Sequence, residues 1–161
     1  MPLTLDIRDV LRSCRLGPVA LGHTRREVHD LLGPPDRWSD APHMFSRKAS
    51  IWLYGPLELH FAADPAEDMR LHLIWCDYLP FLETRMNPQG SLRLEPWIFG
   101  GTEPTTLAKL ESALRAESLA FEVREEPGMN PRHHVVLESG VTFGLDDEGD
   151  GPVVAYLKIT A

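Results

Sequence analysis

Apolar residues near the start of the chain fall at Ile7, Val10, Leu11 and Cys14. Spacings of three and four put them on one helical face, so an amphipathic helix is expected over residues 6–14. A second helix announces itself more sharply. Thr24 stands three residues before Glu27, a pair that can exchange side-chain and backbone hydrogen bonds at a helix start, and Val28, Leu31 and Leu32 follow on one side. Gly33-Pro34-Pro35 ends it, because glycine tolerates the left-handed position after a helix and proline cannot continue the ladder.

The periodicity then changes from helical to alternating. Strands are expected over 50–54, 57–61 and 70–75, separated by Gly55-Pro56 and by the acidic loop Asp64-Pro65-Ala66-Glu67-Asp68. In the second strand Leu57, Leu59 and Phe61 share a face opposite Glu58 and His60. In the third, Leu71, Leu73 and Trp75 share the core face, opposite His72 and Ile74. The second half follows the same plan, with a helix over 106–116 carrying Leu107, Leu110 and Leu114, then strands over 119–124, 134–138, 141–145 and 153–159. An offset of 84 maps Leu57, Leu59, Phe61, Leu71, Leu73 and Trp75 onto Val141, Phe143, Leu145, Ala155, Leu157 and Ile159, all apolar. The expected fold is α+β: tandem helix-plus-three-strand units, an antiparallel sheet and helices packed on one face. Residues 1–76 and 105–161 would be the two units of one globule, joined by a structured connection over 77–104. Its Trp97 and Phe99 either pack across the seam between the units or belong to a binding site.

Charge and composition narrow the classes. A net charge of −8 with few adjacent basic residues opposes nucleic-acid binding. No run approaches the length needed to span a bilayer, and charges interrupt the first residues where a signal segment would be apolar, so a cytoplasmic protein without a membrane is expected. The two cysteines, Cys14 and Cys76, are too few for a disulfide framework or a cysteine zinc site. Lys48, Lys109 and Lys158 are the lysines among 16 basic residues, an arginine bias that points to a GC-rich, bacterial genome.

The stretch from Val19 through Gly22, Thr24, Glu27-Val28, Leu31-Leu32-Gly33 and Pro35, followed by Trp52-Leu53-Tyr54-Gly55, resembles the opening of SmpA/OmlA (BamE-like) modules. The resemblance covers about residues 19–55 and implies a helix laid on an antiparallel sheet, serving as a non-catalytic binding unit. Members of that family are outer-membrane lipoproteins. Cys14 here follows Leu11-Arg12-Ser13 without a hydrophobic signal region, so the lipoprotein role is not carried over.

Candidate chemistry is sparse. The chain has no nucleophile elbow, phosphate loop, dinucleotide fingerprint or His-Glu-x-x-His motif. Asp146 to Gly151 resembles a calcium loop only until Leu157, which stands where a bidentate glutamate is required, so an acidic hairpin turn is expected instead. If Phe61 faces Leu71, His60 faces His72 with Glu58 two residues away. That trio could meet a partner or, alternatively, His60 and His72 could hold a metal. His133 and His134, being neighbours on a strand, point to opposite faces. These patterns lean away from an enzyme, call for no cofactor, and favour a non-catalytic bacterial binding protein with a protein partner, for instance a toxin-neutralising or accessory factor. Its binding residues would be Glu58, His60, His72, Trp97 and Phe99. The alternative is a small-ligand or metal-binding sensor using the cleft between the units. Oligomeric state is not encoded in any of these patterns.

Overall fold

The computed structural model describes residues 1–63, 68–77, 79–129 and 133–161. The acidic loop expected at 64–68 lies, but for Asp68, outside the described residues. The chain is α+β. Its order is β1 (Leu3–Asp6), α1 (Ile7–Ser13), α2 (Arg25–Leu32), β2 (Arg37–Trp38), β3 (Ile51–Tyr54), β4 (Leu57–Ala62) and β5 (Arg70–Cys76). There follow α3 (Leu82–Arg85), β6 (Leu92–Glu95), α4 (Leu107–Ala116), β7 (Phe121–Glu125), β8 (His133–Leu137), β9 (Thr142–Glu148) and β10 (Gly151–Thr160). Eight strands form one sheet in the order β2-β3-β4-β5-β10-β9-β8-β7, with every neighbouring pair antiparallel.

The second helix forms as its punctuation dictates. Thr24 Oγ1 accepts from the Glu27 backbone N–H at 3.3 Å, and Glu27 Oε2 accepts from the Thr24 N–H at 2.7 Å. At the other end Gly33 has φ 80° and ψ −174°. The positive φ was expected. The extended ψ takes it outside the left-handed helical region into one that glycine alone occupies readily. A Cβ there would meet the Ser91 Cβ at 2.8 Å.

The connection at 77–104 is structured: α3, β6 and two short 3₁₀ turns, Leu79–Phe81 and Trp97–Phe99. Strand β6 pairs with the N-terminal β1 in parallel, Leu3 facing Leu92 and Leu5 facing Leu94. Helix α1 then reaches both halves. Ser139 Oγ donates to the Leu11 carbonyl at 2.6 Å, and Arg8 and Arg12 both pair with Glu117 beyond α4. Ile7 and Val10 of α1 meet Leu57, Ile74, Cys76 and Leu157 of the sheet around an apolar void of about 10 Å³. That space is no larger than a single water needs, and it lacks polar partners for one.

One expectation about the sheet fails. Phe61 pairs with Leu71, but His60 pairs with Leu73 and Leu59 with Ile74, because His72 is an extra residue in β5. This bulge leaves two residues opposite one and reverses the alternation beyond it. The inward set of β5 is therefore Leu71, Ile74 and Cys76, all at 1% exposure, while Leu73 and Trp75 turn outward. His72 does not face His60. An equivalent irregularity sits in β10 at Ala155, between the pairs Val154–Leu145 and Tyr156–Gly144. Inward residues of β10 are Val154, Leu157 and Ile159. The spacing is 84 from Leu57 to Val141 but 83 from Leu71 to Val154, so the residue-by-residue match through Leu73, Trp75 and Ala155 is replaced by one through Ile74, Cys76 and Val154.

Candidate functional site

Alternation beyond the two bulges gives the sheet an outer face of unusual content. The registers set one row straight across eight strands: Arg37, Leu53, Glu58, Trp75, Lys158, Thr142, Val136 and Glu122. Beside it run Ile51, His60, Leu73 and Thr160 on one flank and Tyr156, Gly144, His134 and Arg124 on the other. Trp75, Tyr156, Leu73, His60 and Lys158 are all half-buried.

Trp75 and Tyr156 stand diagonal across the β5–β10 ladder, where long side chains reach one another. Their rings stack, with centroids 4.2 Å apart and planes at 24°. Gly144 makes the arrangement possible. A Cβ built there would lie 2.2 Å from the Tyr156 ring, so the phenol rests flat on bare backbone. Burial raises the Tyr156 pKa, with Asp146 and Glu126 adding to the shift. The phenol therefore stays protonated and able to donate, and its oxygen lies 3.4 Å from His134 Nε2. His134 Nδ1 is shielded and has no partner among the described residues.

On the other side of Trp75, His60 Nε2 and Glu58 Oε2 are 2.8 Å apart. A carboxylate–imidazole pair becomes catalytic when a nucleophile or substrate proton lies within hydrogen-bond reach of the ring. No hydroxyl or thiol among the described residues bonds to His60. The pair lies on the outer face beside Trp75, with Glu58 directly opposite it across the ladder.

The residues singled out from sequence scatter. Glu58 and His60 are together on the outer face, and His72 is exposed at the bulge, away from the cross-strand position assigned to it. Trp97, at φ 52°, packs against the core, and Phe99 is 1% exposed with its ring 5.9 Å from Phe143. Phe99 is core and cannot meet a partner. Among the described residues no group of three or more His, Cys, Asp or Glu is placed to hold a metal, and the bulge takes His72 from the position opposite His60 that the metal alternative assumed. Sequence reasoning placed Trp75 in the core and singled out neither Tyr156 nor Lys158 as site residues. The available signal was Leu73-Ile74-Trp75-Cys76, an apolar run in which either alternate set could face the core.

Among the described residues no helix is long and apolar enough to cross a membrane. Compared with known proteins, the chain matches no family model, no curated protein and no solved structure.

Proposed function

We propose that this is a non-catalytic binding protein that engages a protein partner through the outer face of its sheet, with Trp75 and Tyr156 as the anchor. The stacked pair over Gly144 carries the reading. Two large rings held at a fixed angle offer contact area at low entropic cost, and such residues dominate binding energy at protein interfaces. The flanking Glu58–His60 pair, Lys158 and His134 supply a polar rim. The two halves, each a capped helix followed by four strands meeting at β5 and β10, suit an origin by internal duplication, with the anchor built at their seam. The BamE-like resemblance suits the same reading. Its helix and tyrosine strand are linked here by Tyr54, whose hydroxyl donates to the Gly33 carbonyl at 2.9 Å. A toxin-neutralising or accessory factor in the bacterial cytoplasm is the kind of role we assign.

A small-ligand or metal sensor seated between the halves draws less support, because β5 and β10 close that seam with a ladder and the space beside it holds about 10 Å³. The test is capture of the partner from the native organism, followed by calorimetry with Trp75→Ala and Tyr156→Ala. Each substitution is expected to weaken binding by about thirtyfold, the effect of truncating a central aromatic anchor. Folded variants that bind as tightly as the parent would end this assignment.

A further inference from the structure

The two halves treat one corner of the fold differently. In the first, Arg25 opens α2 with its side chain almost wholly buried. Its Nε donates to Asp68 at 2.8 Å, and its terminal nitrogens donate to the carbonyls of Met44, Phe45, Ser46 and Ala49 at 2.7 to 3.4 Å. Phe45 packs against His29 and Trp52, so the chain's own 44–49 segment fills the space between the start of α2, the approach to β5 and the start of β3.

In the matching corner of the second half no side chain among the described residues plays the part of Arg25. Thr106 caps α4 as Thr24 caps α2, and each cap residue bridges to the last strand of its half, Thr106 to Val153 and Thr24 to Arg70. Leu107 takes the place of Arg25, and Asp150 stands before Val153 much as Asp68 stands before Arg70. The connection between β7 and β8, residues 126–132, is five shorter than the 39–50 connection between β2 and β3. What remains is a groove of about 340 Å³ walled by Leu107, Ala108, Pro152 and Val153, with Glu111 and Asp150 at its rim. Asp150 makes no ion pair among the described residues.

We propose that this groove receives an extended segment of a partner protein that carries an arginine beside an apolar residue. The partner's guanidinium supplies in trans what Arg25 supplies in cis, meeting Asp150 and Glu111, while the apolar residue covers Leu107 and Val153 as Phe45 covers the first half. Apolar walls and rim carboxylates complement such a segment, and arginine suits carboxylates better than lysine does because its planar fork can bond two oxygens at once. This surface is separate from the Trp75–Tyr156 face and does not depend on it.

The probe is a blocked tripeptide, acetyl-Phe-Arg-Leu-amide, titrated into the full chain and followed by backbone amide NMR, with acetyl-Phe-Gln-Leu-amide as control. Saturable shifts are expected at Leu107, Ala108 and Val153, with the glutamine peptide about fivefold weaker, the scale of a partly exposed charge pair. Leu107→Arg, which copies the first half, is expected to fill the groove and abolish the shifts, while Trp75→Ala leaves them unchanged. Should Leu107→Arg lose its dispersed spectrum, the Asp150→Asn/Glu111→Gln variant carries the test and is expected to level the two peptides. The proposal is overturned by absent shifts, by equal affinity of the two peptides for the parent protein, by shifts confined to the Trp75–Tyr156 face, or by a folded Leu107→Arg that still binds.

Discussion

The halves of the sheet share a backbone plan and fill it with opposite chemistry. In the first, Trp52, Tyr54 and Phe61 point inward where the second has Val135, Leu137 and Leu145. A buried arginine organises the first corner, and a leucine beside an open groove takes its place in the second. On the outer face the positions just past each bulge differ again: His60 opposite Leu73 in the first half, Gly144 beneath Tyr156 in the second. Strand pairing and bulge position thus set the frame, while the side chains at a few equivalent points decide which corners the molecule closes for itself.

The sharpest way to break this comparison is to make the first corner like the second. Arg25→Leu removes the donor to Asp68 and to four carbonyls, and is expected to cost about 3 kcal/mol, the lower range for opening a buried ion pair, since Asp68 keeps some contact with water. Segment 44–49 should lose hydrogen-exchange protection at the same time. Leu107→Ala in the second half, at a half-buried position, is expected to cost about 1 kcal/mol. Urea unfolding of both variants measures the gap. Equal losses would mean that Arg25 decorates the first half instead of organising it.

A smaller effect is expected on the outer face. Gly144→Ala drives a methyl group into the Tyr156 ring and is expected to cost about 2 kcal/mol, as overpacking does. His60→Ala, at the equivalent place in the first half, has no ring lying on its backbone and should cost well under half of that. Adding Tyr156→Ala to Gly144→Ala should recover most of the loss, a coupling of about 1 kcal/mol or more between touching residues. Additive losses would show that the glycine serves something other than the tyrosine. Near-ultraviolet circular dichroism, sensitive to the Trp75–Tyr156 stack, should change with Gly144→Ala.

Helices α1, α2 and α4 were legible from sequence because their causes are local, whereas α3 was read only as part of a structured connection. Thr24 with Glu27, the Leu31-Leu32-Gly33-Pro34 stop and the Leu107, Leu110, Leu114 spacing each lie within one or two turns. Most strands of the large sheet were legible for the same reason, since alternation needs only neighbouring residues. The outer face was not. A bulge adds one residue in response to what the partner strand demands, and Arg70 to Cys76 reads the same with or without it. That single residue exchanged Trp75 and Leu73 for Ile74 and Cys76 as core, and with them the candidate site. Strands β1 and β6 escaped because a short parallel pair between positions some 90 residues apart leaves no local trace. Arg25 has no signature in the sequence, since nothing near it reveals the carbonyls it binds.

The smallest contrast lies at the helix caps, and pH separates its parts. Thr24 and Thr106 each accept a hydrogen bond from the third residue of their helix, so Thr→Ala at either is expected to cost about 1 kcal/mol. Only the first cap is reciprocal, because Glu27 bonds back to Thr24 whereas the corresponding residue of α4 is Lys109. The Thr24 backbone N–H, with its hydroxyl second, holds the Glu27 pKa below its ordinary 4.5. A carboxylate whose pKa is lowered by folding contributes stability that is fully present above the unfolded value and is lost as pH falls through the folded one. Glu27→Gln is therefore expected to destabilise at pH 7, with the difference from the parent shrinking below about pH 4.5 and gone once both side chains are uncharged. Lys109→Gln should show no such acid-range convergence. Denaturant midpoints for the two variants and the parent at pH 7 and pH 3 make the measurement. A Glu27→Gln loss that persists unchanged at pH 3 would place its origin in packing and not in the charge of the reciprocal cap.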